Sequence, residues 1–182
     1  MFVRDGRRAC GRSLRLNLLP SMLRRSFMLN RVRQTKFENS GGRFAIVAAQ
    51  YNGRYVDAML RAAKNELRKA GATEVEVIRV PGSFEIPAVA AMLAHGRVPP
   101  LSAILCLGVI FQGETSHAQH IGWGVTHALA QIQVQHKIPV VHGVFLFEKE
   151  TQARVRCLGR KHNRGIEAAR TALAMAAVMR NL

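Results

Sequence analysis

Cysteines, acidic residues and long apolar runs are all scarce in this sequence, and each scarcity excludes something. The three cysteines, Cys10, Cys106 and Cys157, are an odd set without metal-ligand or redox spacing. Disulfide frameworks use an even, denser set, so the expectation is a reducing compartment, the cytoplasm. No apolar stretch reaches the roughly 18–20 uncharged residues of a membrane-spanning helix, because Gly, Gln, His or Arg interrupts each one. The expectation is a soluble protein. Only 11 acidic residues stand against 27 Lys and Arg, a net charge of +16. That excess alone would suggest nucleic acid or an anionic membrane as partner. It is unevenly spread, however: residues 1–42 carry ten basic residues against Asp5 and Glu38, half of the whole excess. The remainder is a moderately basic chain with 48% apolar residues over the whole sequence, enough for the core of one domain.

Residues 1–42 lack a sustained apolar period and run into Asn39-Ser40-Gly41-Gly42, a flexible punctuation mark. They are expected to form a disordered basic extension, with the folded domain over residues 43–182. The extension fits an over-extended start, Met22 and Met28 being alternative starts; it also fits an organellar transit peptide, or an arm for RNA, anionic cargo or membrane.

From Arg43 the pattern is regular. Phe44 to Ala49 is a short apolar run, a buried strand, followed by Val56, Met59, Leu60, Ala63 and Leu67 at helical spacing. Glu74 to Val80 alternates as a second strand that Pro81-Gly82 stops, and a helix is expected from Glu85 to His95. Ala103 to Leu107 is the third strand, Ile121 to Ile132 marks a third helix, and Val140 to Phe147 is the fourth strand. The tail from Gln152 to Arg180 is mostly helical, with a break near Gly159 to Gly165. Alternating strands and helices imply parallel pairing through right-handed crossovers: an α/β fold, a three-layer α/β/α sandwich on a four-stranded parallel sheet. Ligands of such sheets bind outside the carboxyl ends of the strands, so the loops after the strands should form the site.

Those loops carry suitable chemistry. Tyr51, after the first strand, is either a packed loop aromatic or a stacking face for a flat ring. Glu85, after the second, either complements a helix dipole or accepts hydrogen bonds from sugar hydroxyls. After the third strand, Gly113, Thr115 and Ser116 precede a helix and would offer N–H groups and hydroxyls to an anion. His117 follows at once, placed for proton transfer near neutral pH beside a phosphate. His117 and His120 lack a third ligand at matching spacing, so no metal is expected. In the basic stretch Arg154, Arg156, Arg160, Lys161 and Arg164, one guanidinium could close the phosphate site; the alternative is a solvated helix face.

Taken together, VPGSFEIP (Val80 to Pro87), LGVIFQGETSH (Leu107 to His117), IPVVHGV (Ile138 to Val144) and NRGIEAA (Asn163 to Ala169) resemble the lumazine synthase family, over roughly Arg43 to Arg180. The resemblance implies a flavodoxin-like fold and a cofactor-free condensation of 5-amino-6-(D-ribitylamino)uracil with 3,4-dihydroxy-2-butanone 4-phosphate. The product would be 6,7-dimethyl-8-ribityllumazine, in the penultimate step of riboflavin biosynthesis, with a functional link to riboflavin synthase. By position, Tyr51 matches the residue that stacks on the pyrimidine, and Ser83, Phe84 and Glu85 match the segment holding the ribityl chain. Val109 and Ile110 match the segment whose backbone reads the uracil edge, Glu114 and Thr115 the phosphate turn, His117 the general acid/base. Arg156 matches the phosphate-binding arginine, which the family takes from the neighbouring subunit of a homopentamer; some members assemble twelve pentamers into an icosahedral shell. His142 stands where the family usually has a Phe from the adjacent subunit. Ala118-Gln119 replaces an aromatic followed by an acid, Gln112 a common Arg, and Phe145-Leu146 a small residue and Thr. These departures keep a second expectation open, a weakly active or inactive relative that binds lumazine or flavin, or forms a protein shell.

Overall fold

The computed structural model describes residues 41–182 apart from Arg97, Arg160 and Lys161. The anticipated basic extension, save Gly41 and Gly42, therefore lies outside the described residues, as do Arg160 and Lys161. The elements run β1 (Arg43–Ala49), α1 (Gly53–Lys69), β2 (Glu74–Val80), α2 (Ile86–Ala94), β3 (Ala103–Phe111), α3 (His117–His136), β4 (Val140–Phe147), α4 (Glu150–Ala153) and α5 (Arg164–Arg180). A π-helical turn, Arg154–Leu158, continues α4. All pairings are parallel and the strand order is β2-β1-β3-β4.

The three-layer sandwich follows from alternation. On β1, Phe44, Ile46 and Ala48 enter one core with Met59, Ala63 and Leu67 of α1 and Ala169, Ala172 and Leu173 of α5. Ala45, Val47 and Ala49 enter the other, with Ile86 and Ala90 of α2 and Val125, Leu129 and Ile132 of α3. A strand covered on both faces is why Phe44 to Ala49 reads as an unbroken apolar run. The chain leaves β1 for β2 on one side and returns to β3 on the other, so the switch point lies between the carboxyl ends of β1 and β3.

Two boundaries differ from expectation. α2 is one residue shorter at each end than Glu85 to His95. More importantly, β3 continues four residues beyond Leu107, because β4 stays paired with it from Gly108↔Val144 to Phe111↔Phe147. Gly108, which looked like the start of a loop, is a strand residue whose missing side chain matters: a Cβ there would lie 2.5 Å from Ser83 Oγ. No described helix is long and apolar enough to cross a membrane.

Candidate active site

A cavity of about 590 Å³ opens at the carboxyl ends of β1, β2 and β3. Tyr51 and Asn52 from the loop after β1, Gly82 to Glu85 from the loop after β2, Val109 to Phe111 from the end of β3, and His117 and His120 from α3 form its wall. Tyr51 and Phe84 leave their faces bare, 73% and 63% exposed. A flat ring could stack on either. Ser83 is buried beneath them against Gly108. Glu85 is the N-cap of α2 and accepts a hydrogen bond from the Gly82 N–H at Oε2, 2.9 Å. One carboxylate oxygen thus holds its own loop while the group lines the cavity.

The extension of β3 decides which backbone groups a ligand can meet. Pairing with β1 stops at Leu107, whereas pairing with β4 goes on to Phe111. The Ile104 N–H donates to Pro139 O and the Gln112 N–H to Phe147 O, so even-numbered residues of this strand turn their main-chain groups to β4. Val109 and Phe111 therefore face the open side, while Ile110 contributes its side chain to the cavity and its peptide groups to the β4 side. Asn52 closes part of that edge, its Nδ2 donating to Val109 O at 2.7 Å. Its own backbone is left-handed, φ 56°, a conformation asparagine tolerates better than most residues. Asn52→Ala is expected to destabilise the fold by about 2 kcal/mol, combining backbone strain with an orphaned carbonyl. Asn52→Gly should recover the strain part alone, about half; urea unfolding midpoints check both.

Beyond β3, Gly113 to Ser116 form an exposed turn leading into α3. None of their four backbone N–H groups has a partner among the described residues. Thr115 Oγ1 accepts from the His117 N–H at 3.5 Å, and Ser116 Oγ meets His120 Nε2 at 3.1 Å. Glu114 and Thr115 border the cavity without lining it, next to His117. The His117 ring reaches the cavity wall and has no hydrogen-bond partner among the described residues. Asn52, Phe111 and His120 are wall residues that sequence reasoning left unassigned. A signal existed for His120, one helical turn after His117 on the same face.

Two anticipated site residues lie apart from this cavity. Arg156 is exposed on the π-helical turn. His142 sits on the edge strand β4, its Nε2 hydrogen-bonded to Thr126 Oγ1 at 2.9 Å. Because the Thr126 hydroxyl donates to Gly122 O, the His142 nitrogen is the donor of the pair. Desolvation against α3 lowers the His142 pKa below the ordinary imidazole value. Among the described residues, burial pushes the Cys157 thiol up to about 11, against the pull of Arg164, and raises that of Cys106 further.

An open parallel sheet with its cavity at the switch point, walled by exposed aromatic side chains, a carboxylate and an imidazole, defines an enzyme of the α/β class. The sequence profile described as 6,7-dimethyl-8-ribityllumazine synthase matches residues 41–180. Relatives bearing that name include one from Thermococcus onnurineus, 39% identical over 84% of this chain and 98% of its own length. Others come from Halorhodospira halophila, 40% identical over 77% of this chain and 90% of its own, and Pyrococcus furiosus, 37% identical over 80% and 90%. The chain belongs to the 6,7-dimethyl-8-ribityllumazine synthase family.

Proposed function

We propose that the chain joins 5-amino-6-(D-ribitylamino)uracil to 3,4-dihydroxy-2-butanone 4-phosphate, giving 6,7-dimethyl-8-ribityllumazine, phosphate and two waters. The observation that carries this reading is the single cavity in which Tyr51, Glu85, the open edge of β3 and His117 meet beside the Gly113 to Ser116 turn. The pyrimidine stacks on Tyr51, its polar edge faces the main chain of Val109 and Phe111, and the ribityl chain runs along Ser83, Phe84 and Glu85. The phosphate takes the N–H groups of the turn, with Thr115 at its side. The amine attacks the ketone and loses one water to form an imine, phosphate leaves by elimination and ring closure expels a second water, with His117 moving protons between these steps. Holding two substrates in one cavity supplies a large share of the acceleration.

Arg156 and His142 complete the site from the next subunit of a homo-oligomer, for which a pentamer is our reading. In support, both are exposed in the isolated chain, away from its own cavity, while Tyr51 and Phe84 stand bare beside it. In Arg156→Ala, loss of a charge-assisted bond to phosphate is expected to raise the KM for the sugar phosphate about 30-fold, equivalent to about 2 kcal/mol. The KM for the pyrimidine should stay within about threefold. Co-expressing Arg156→Ala with His117→Gln should restore activity to about a quarter of the sites, those with an intact His117 and an intact neighbouring Arg156. Mixed assemblies no more active than their parents would place both residues in one subunit. We place the protein in the cytoplasm, on the spacing of its cysteines.

A further inference from the structure

Gln112 follows β3, and its backbone N–H is fixed to Phe147 O at 2.9 Å. Its side chain turns back over the anion-receptive turn. Nε2 donates to Gly113 O at 2.9 Å and to Thr115 O at 2.8 Å, while Oε1 is buried without a partner. The opposite orientation of the amide would set Oε1 against two carbonyl oxygens, so the two acceptors determine which atom is the nitrogen. Leaving Oε1 unpaired is unfavourable, and the amide accepts that in order to hold two carbonyls at once. In a trans peptide the C=O and the following N–H point in opposite directions. Drawing Gly113 O and Thr115 O toward Gln112 therefore turns the N–H groups of Glu114 and Ser116 away from it, without partners among the described residues.

We propose that Gln112 is the positioning residue of the phosphate turn, clamping two carbonyls on one side so that two N–H groups converge on the anion at the other. This rests on the reading that the turn receives the phosphate of the sugar substrate. Gln112 itself does not touch the anion. Its contribution is to remove the turn's freedom before binding, so that backbone donors need not reorganise as the phosphate arrives and departs.

The test uses the assembled enzyme with inorganic phosphate as probe. In the unaltered protein, phosphate should inhibit competitively against the sugar phosphate. Gln112→Met keeps the length of the side chain and removes its donors; the phosphate inhibition constant and the KM for the sugar phosphate should both rise about tenfold. The KM for the pyrimidine should move less than about threefold. A purely structural role would shift both substrates together, and that outcome, or an unchanged inhibition constant, overturns the proposal. Phosphate competing with the pyrimidine instead, in the unaltered enzyme, overturns the phosphate-turn reading and Gln112's role with it. If Gln112→Met does not fold, Gln112→Glu, isosteric and without N–H donors at neutral pH, must show the same split between substrates.

Discussion

Gly165→Ala is expected to lower the thermal midpoint by roughly 6–12 °C and to leave part of the protein insoluble. A Cβ at this position would lie 2.0 Å from Met59 O and 2.6 Å from its carbonyl carbon. The obstruction is the backbone of α1 in mid-helix, not a side-chain tip that could swing aside. α5 would have to withdraw from α1 at this contact. The start of α5 cannot shift freely, because Asn163 is buried and used at both ends: its Oδ1 accepts from the Gly165 N–H at 2.8 Å and its Nδ2 donates to Cys157 O. Overpacking typically costs about 1–3 kcal/mol, and contact with rigid backbone belongs at the top of that range or beyond. Alanine's better helix propensity returns up to about 1 kcal/mol. A net loss of about 3 kcal/mol corresponds to the stated shift for a chain of this size. Scanning calorimetry decides it: a midpoint within about 2 °C of the parent would mean that α5 slides along α1 at little cost.

The close contact also shows what kind of information each motif carried. NRGIEAA was among the most specific segments of the sequence, yet it builds scaffold: Asn163 caps, Gly165 permits contact and Ala169 packs in the core. VPGSFEIP and LGVIFQGETSH carry the cavity. The strands, the helices and three of the four loops were legible from apolar spacing, since a covered central strand and an amphipathic helix leave different periods. The end of β3 was not. Gly108 reads as a breaker unless Ser83 is known to press against it, and that contact spans two elements. The extra turn of strand has a chemical consequence, because it sends the peptide groups of Val109 and Phe111 to the open edge and those of Ile110 to β4. Side-chain roles that depend on a neighbour's position were equally hidden. Asn52, to which the sequence assigned no role, is a strut to Val109; Gln112 looked like a lost arginine and is a clamp on two carbonyls. Arg156 and His142 could be matched by position in sequence, but nothing in one chain's periodicity says that they stand outside its own cavity.

His117→Gln is expected to lower kcat on the order of 10²-fold with little change in either KM. Glutamine retains a similar reach and can still donate and accept a hydrogen bond, so binding survives while proton shuttling does not. The general acid/base contribution of a well-placed side chain runs from about 10² to 10⁴, and two features of this cavity put the loss at the lower end. One is that much of the rate comes from holding two reactants together, which the variant keeps. The other is His120, one turn along α3 on the same wall and steadied by Ser116 at 3.1 Å; it can take over part of the proton traffic. The His117 ring, by contrast, has no hydrogen-bonding partner to hold it, and Ala118 and Gln119 beside it offer no carboxylate. Substituting His120 by Gln in the His117→Gln background should therefore cost a further factor, whereas His120→Gln alone should cost less than His117→Gln. Steady-state rates followed through lumazine absorbance over about pH 6–8 separate these cases. A His117→Gln enzyme within about threefold of the parent across that range would transfer the acid/base role to His120, and with it the point in the cavity where the departing phosphate and the new ring must meet.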